Sequence, residues 1–109
     1  MESRQDDGPQ HVRALERANQ VRAARATVKR RIASGELTAA EVILSHRWEI
    51  ERMPIVEILI SQPRWGSSRC HVFLLGLTMH ENKLIGSLTE RQRTAVAALL
   101  TARARSARV

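Results

Sequence analysis

Apolar residues recur along this chain at spacings of three and four, and no stretch alternates convincingly with period two, so the pattern predicts helices and no sheet. The longest periodic segment runs from His11 to Ser34. Val21, Val28 and Ile32 share a face there with Ala14 and Ala18, while Arg22, Arg25 and Lys29 recur on the neighbouring face. Gly35 follows as a helix-terminating residue. Only the later half of this stripe is well supplied with Val and Ile, so the first turns are expected to dock loosely or to become ordered on a partner. Residues 1–10, with Asp6, Asp7, Gly8 and Pro9 and no periodicity, read as a disordered leader.

Local signals place the remaining helices. Thr38-Ala39-Ala40-Glu41 has the form of a capping box and predicts a short helix to about His46. Arg47 to Arg52 is a charged connection with Trp48 and Ile50 as expected anchors. Pro54 suits the first position of a helix through Ser61, with Ile55, Val56, Ile58 and Leu59 inward. After a turn at Pro63–Ser67, Ser67 or Ser68 is expected to cap a helix through Leu75 that buries Val72, Phe73 and Leu75. Met79 to Ser87 is a connector with room for one short turn. Thr89-Glu90-Arg91-Gln92 is a second capping box, opening a last helix that carries Val96, Leu99 and Leu100 into the core. Arg103, Arg105 and Arg108 then read as a basic tail over 102–109.

Composition narrows the function classes. A chain of 109 residues has a thin core with little room for an enzyme-sized cavity. With one Phe, two Trp and no Tyr, it lacks material for a base-stacking platform of the single-strand-binding kind. The lone Cys70 allows no intrachain disulfide and no cysteine zinc cluster, which suits a reducing cytoplasm. The start has no secretory signal, and the apolar runs Ile58–Ile60 and Val72–Leu75 are too short to span a bilayer, so a soluble protein without a membrane partner is expected. A net charge of +7 points instead to a polyanion.

The stretch Pro63-Arg64-Trp65-Gly66-Ser67-Ser68-Arg69 is where that charge meets special geometry. A glycine-centred turn entering a helix presents unpaired N–H groups and the positive end of the helix dipole, an arrangement suited to phosphate. The backbone of Gly66, Ser67 and Ser68 would meet phosphate oxygens, and Arg64 and Arg69 would neutralise adjacent charge. Trp65 could enter a minor groove or pack on Met53 or the last helix; packing is favoured, because tryptophan is seldom left exposed. Arg22, Arg25, Lys29, Arg30 and Arg31 form a basic band with no acidic residue from Arg17 to Gly35, unlike a mixed-sign solubility face. Lys83, Arg91 and Arg93 form a second basic patch. Cys70, His71 and His80 match no standard zinc spacing and read as a half-buried helix face, so no metal and no cofactor are expected. No catalytic arrangement follows from any spacing, and no enzyme activity or small-molecule substrate is expected.

From about His11 to Leu100 the chain resembles the actinobacterial integration host factor family of small basic nucleoid-associated proteins. The resemblance rests on Ala-Leu-Glu-Arg from Ala14, the arginine-rich alanine helix to Gly35, Met53 before the Ile-Leu helix, and above all PRWGSSRCHVFLLGLTM (63–79) leading into SLTERQRTAVAALL (87–100). It implies an all-α fold with a basic N-terminal helix (11–35) and a compact helix-two-turns-helix domain (36–101). It also implies that the first hairpin turn lies on the DNA backbone across the minor groove, with DNA bending, nucleoid compaction and support for site-specific recombination. A cytoplasmic, nucleoid-located protein, monomeric in solution, follows from the same resemblance. The family turn usually has a Gly-Val-Gly-Lys character, whereas Arg64, Trp65 and Ser67 surround Gly66 here; Leu84 and Gly86 stand where basic residues are expected near Lys83. These departures suit a diverged or phage-encoded member. They leave two rivals to double-stranded DNA binding: a module that binds a host protein, and a binder of structured RNA.

Overall fold

Helix starts and stops are written into this chain by side chains that satisfy the backbone. The computed structural model describes residues 2–108, with the side chains of residues 10–105. Helix α1 spans Glu2–Ala33 and ends where Gly35 takes φ 85°, the left-handed conformation that glycine adopts without a Cβ penalty; Leu37 N then donates to Arg31 O at 3.0 Å. Its N-terminal limit lies beyond the expected 11–34, and the expected disordered leader falls largely outside the described side chains. Helix α2, Ala39–Leu44, is opened by the capping box: Glu41 N donates to Thr38 Oγ1 at 3.0 Å and Thr38 N to Glu41 Oε1 at 2.8 Å. The backbone and hydroxyl bonds from Thr38 hold the Glu41 carboxyl below the usual carboxylate range. A depressed folded-state value means that the cap stabilises the fold above the unfolded-state pKa and is lost as pH falls through the lowered one.

A short 3-10 turn, Trp48–Ile50, leads to helix α3, Ile55–Ile60, and then to α4, Ser67–Gly76. A second 3-10 turn, Ile85–Ser87, precedes α5, Glu90–Arg108. The second capping box is formed too, with Gln92 N donating to Thr89 Oγ1 at 3.1 Å and Thr89 N to Gln92 Oε1 at 2.9 Å. Two caps differ from expectation. Pro54 is the N-cap of α3, with extended ψ 141°, and Gly66, not a serine, is the N-cap of α4. Helix α5 continues through Arg108, so the segment expected as a tail extends that helix.

The elements are all helical, as the periodicity predicts, and the described residues contain no β-strand. An isolated antiparallel bridge, Pro54 to Leu84, marks where two connections lie side by side. Ile55 N donates to Lys83 O at 2.7 Å, Ile85 N to Met53 O at 2.9 Å and Gly86 N to Glu51 O at 2.8 Å. A Cβ at position 86 would sit 2.8 Å from that same carbonyl oxygen, which accounts for glycine there.

The core lies between the second half of α1, α2, α3, the inner face of α4 and the first turns of α5. Val28 and Ile32 enter it from α1, whereas Val12 and Leu15 remain about half exposed, so the first half of that helix projects from the globule, as its weak stripe predicts. Principal extents of 66 × 28 × 23 Å reflect this projection. Among the described residues no helix is long and apolar enough to cross a membrane.

Apolar assignments in three elements require correction. In α4 the buried positions are Cys70, Phe73 and Leu74 with Leu77 alongside, the i, i+3, i+4, i+7 stripe of a single face, so Val72 and Leu75 point outward and are exposed. In α5 the stripe is Arg93, Val96, Ala97 and Leu100, which leaves Leu99 on the flank and partly exposed. In the first 3-10 turn Ile50 is fully buried, but Trp48 is exposed with the Arg17 guanidinium 5.3 Å above its ring.

Candidate nucleic-acid interface

The first turn of α4 presents an electrostatic situation that α2, α3 and α5 avoid. The N-termini of α2, α3 and α5 carry Glu41, Glu57 and Glu90, carboxylates that complement the positive end of the helix dipole. Helix α4 has no acidic residue in its first turn, and its N-cap Gly66 contributes no side-chain acceptor. Ser67, Ser68 and Arg69 occupy that turn with their N–H groups ahead of the first intrahelical acceptor, and all three are exposed. Gly66 has φ −92° and ψ −179°, a conformation any residue adopts, and a Cβ there would meet nothing within 4 Å. The open space in front of Gly66 is therefore bounded by solvent rather than by the protein.

Arg64 and Arg69 stand exposed on either side of this opening. Arg64 has φ 69°, a left-handed conformation that costs an L-residue about 1–2 kcal/mol and is ordinarily given to glycine. Arg64→Gly is accordingly expected to leave stability unchanged or raise it by up to about 1 kcal/mol, since relief of strain exceeds the extra chain entropy of glycine. Urea unfolding checks this, and a clear loss of stability would mean that the Arg64 side chain supports the fold.

Trp65 lies beneath the turn. It is 9% exposed, meets the Phe73 ring edge-on, with centroids 5.3 Å apart at 77°, and belongs to the same buried core as Met53, Val96 and Leu100, so the tryptophan packs inward. The Arg69 guanidinium sits 4.5 Å from the Trp65 centroid, a cation–π contact that fixes the direction of its charge. Arg103 takes the corresponding position over Phe73, 5.2 Å from that centroid. Position 103, reached from Val96 and Leu100 by steps of four and three, extends the buried stripe of α5; that periodicity was the available signal for a placed Arg103 instead of a loose tail.

The other expected basic contacts separate into distinct groups. Arg22 is exposed and bonds Asn19 on its own helix. Arg25 is half-buried, donating from Nε to Glu49 O at 2.7 Å, and Lys29 Nζ pairs with Glu57 Oε1 at 2.9 Å, so both fasten α1 to the globule. Arg31 pairs with Glu36 at 2.7 Å, and Arg30 is exposed. Lys83 is half-buried on the connector, and Arg91 is exposed in the first turn of α5. Arg93 does not belong to a surface patch. It is 3% exposed, with Nη1 donating to Ile43 O at 2.7 Å and Nη2 to Ile85 O at 3.0 Å.

Among the described residues no three His, Cys, Asp or Glu side chains converge as metal ligands. Cys70 is buried, which pushes its thiol pKa up, with the nearby Glu81 charge adding to the effect; His71 Nδ1 lies 2.8 Å from Glu81 Oε2.

No family model and no curated protein matches this chain. Among solved structures it is similar to sIHF bound to an 8-base-pair palindromic DNA, at 25% identity and a TM-score of 0.70 over 78% of this chain and 98% of that one. This likeness, together with five helices in the predicted order, gives the chain an integration-host-factor-like fold.

Proposed function

We propose that this protein is a DNA-binding architectural protein that grips double-stranded DNA through the turn at residues 63–69. Backbone N–H groups at Gly66, Ser67 and Ser68 meet phosphate oxygens beside the minor groove, and Arg64 and Arg69 neutralise neighbouring phosphates. Arg22, Lys83 and Arg91 add longer-range attraction, and Arg25 and Lys29 contribute charge already partly balanced by their partners. Trp65 acts from below by fixing Arg69. Such backbone contacts carry little base specificity, and the duplex is bent or compacted, in a nucleoid setting that includes support for recombination. The observation that carries this reading is the uncomplemented N-terminus of α4, open in front of Gly66 and flanked by two exposed arginines, in a fold shared with a protein solved on DNA.

A gel-shift titration with a random duplex at two salt concentrations tests it. For six neutralised phosphates the slope of log K against log salt is roughly −5, which weakens binding about a thousandfold between 50 and 200 mM salt. A flat response would remove the electrostatic mechanism. Competition with a structured RNA separates duplex DNA from RNA as the preferred polyanion.

A protein-interaction module is the second reading, and exposure of Val72 and Leu75 on the outer face of α4 is what favours it. Absence of any shift at physiological salt would select that reading over DNA binding.

A further inference from the structure

Arg103 lies beyond Leu100, the last core residue of α5, yet its position is set by the rest of the molecule. Its guanidinium covers the Phe73 ring, Phe73 meets Trp65 edge-on, and Trp65 is covered in turn by Arg69. Two cations thus bracket one aromatic pair. Their separation cannot exceed the three contacts laid end to end, so both cations stand on one local surface.

Both arginines are exposed, and among the described residues no carboxylate pairs with either. This contrasts with Lys29 and Arg31, whose charges are matched by Glu57 and Glu36. A guanidinium resting on an aromatic ring keeps its edge N–H groups free, and those donors match the oxygens of a phosphate in two parallel bonds. Two such groups held at fixed spacing by a shared aromatic pair repel one another and lose that repulsion when a polyanion spans them.

We infer that Arg103 is a phosphate contact of the same surface as the 63–69 turn, positioned by Phe73 as Arg69 is by Trp65. The C-terminal part of α5 is then a working part of the DNA-binding surface. This inference rests on the reading of the turn as a DNA contact and extends it to an element more than thirty residues away in sequence.

The test uses the full chain and a random-sequence duplex, with affinity measured across a salt series and thermal unfolding measured in parallel. Arg103→Gln keeps a planar group able to lie on Phe73 but removes the charge. It is expected to weaken binding roughly tenfold and to reduce the magnitude of the salt slope by about 0.9, the contribution of one neutralised phosphate. Arg103→Lys keeps the charge and is expected to retain the wild-type slope. Arg103→Glu is expected to lose more affinity than Arg103→Gln, at a melting temperature close to that of the wild type. If the wild-type chain binds duplex and the Gln and Glu variants share its affinity and slope, Arg103 is a cover for Phe73 and the inference is overturned alone. If the wild-type chain binds no duplex, the reading of the turn falls and this inference falls with it.

Discussion

Arg93→Ala is expected to lower the unfolding free energy by about 3 kcal/mol, the largest loss from a single substitution among the polar residues of this protein. Arg93 is the first residue of the inward stripe of α5, and its guanidinium joins that helix to α2 and to the second 3-10 turn. Nη1 bonds the Ile43 carbonyl in the last turn of α2, where no basic residue of α2 itself complements the negative end of the dipole. Nη2 bonds the Ile85 carbonyl in the second 3-10 turn. Alanine would leave both carbonyls without this donor and open a cavity the size of the lost side chain, and each effect alone costs about 1–3 kcal/mol. Arg93→Lys recovers little, because one ammonium cannot reproduce the fork that reaches two carbonyls. Urea unfolding monitored by tryptophan fluorescence measures the change. An unaltered midpoint for Arg93→Ala would show that these two bonds are replaced by water without loss.

Gly66→Leu should separate binding from stability. A Cβ at position 66 would meet no protein atom within 4 Å, and the backbone there is in a conformation open to every residue, so the unfolding free energy is expected to change by less than about 1 kcal/mol. Affinity for duplex DNA is expected to fall about a hundredfold, because the side chain fills the space through which a phosphate reaches the N–H groups of the first turn, and charge-assisted bonds of this kind contribute about 1.5–3 kcal/mol each. The fall should be similar on unrelated duplex sequences, as expected for backbone contacts. Loss confined to one sequence would indicate base readout at this position, and unchanged affinity on every sequence would place the phosphate contact elsewhere.

The helices that were legible in the sequence are those whose ends are fixed by nearby residues. Thr38 with Glu41, Thr89 with Gln92, and Gly35 at φ 85° each involve partners within a few positions, and all three form as their spacing predicts. The turn at Pro63–Arg69 was legible for the same reason, since glycine, basic residues and the start of a helix are contiguous there. What escaped notice depends on partners distant in sequence. Arg93 reads as a surface cation until Ile43, fifty residues earlier, supplies an acceptor. Arg25 and Lys29 read as a free basic band until the Glu49 carbonyl and the Glu57 carboxylate are brought against them.

The outward placement of Val72 and Leu75 has a different cause. Cys70 behaves as a small apolar residue and is fully buried, and counting it as such completes the stripe with Phe73 and Leu74. Periodicity held the answer in that case, but residue class concealed it. Trp48 shows the converse, because in a three-residue turn Trp48 and Ile50 point in different directions and the core accepts the smaller side chain.

The pairing of the two connections at Pro54 and Leu84 bears on how the chain can change in length. Residues 51–56 and 81–86 are fastened by backbone groups, so one residue inserted in either would shift every later donor away from its acceptor and drive a side chain against Glu51 in place of Gly86. Among the described residues the first half of α1 and the far end of α5 carry no such backbone pairing to other elements, so a change in length there displaces no backbone donor from its acceptor. Changes in length are therefore tolerated along the projecting helices and resisted at the paired connections.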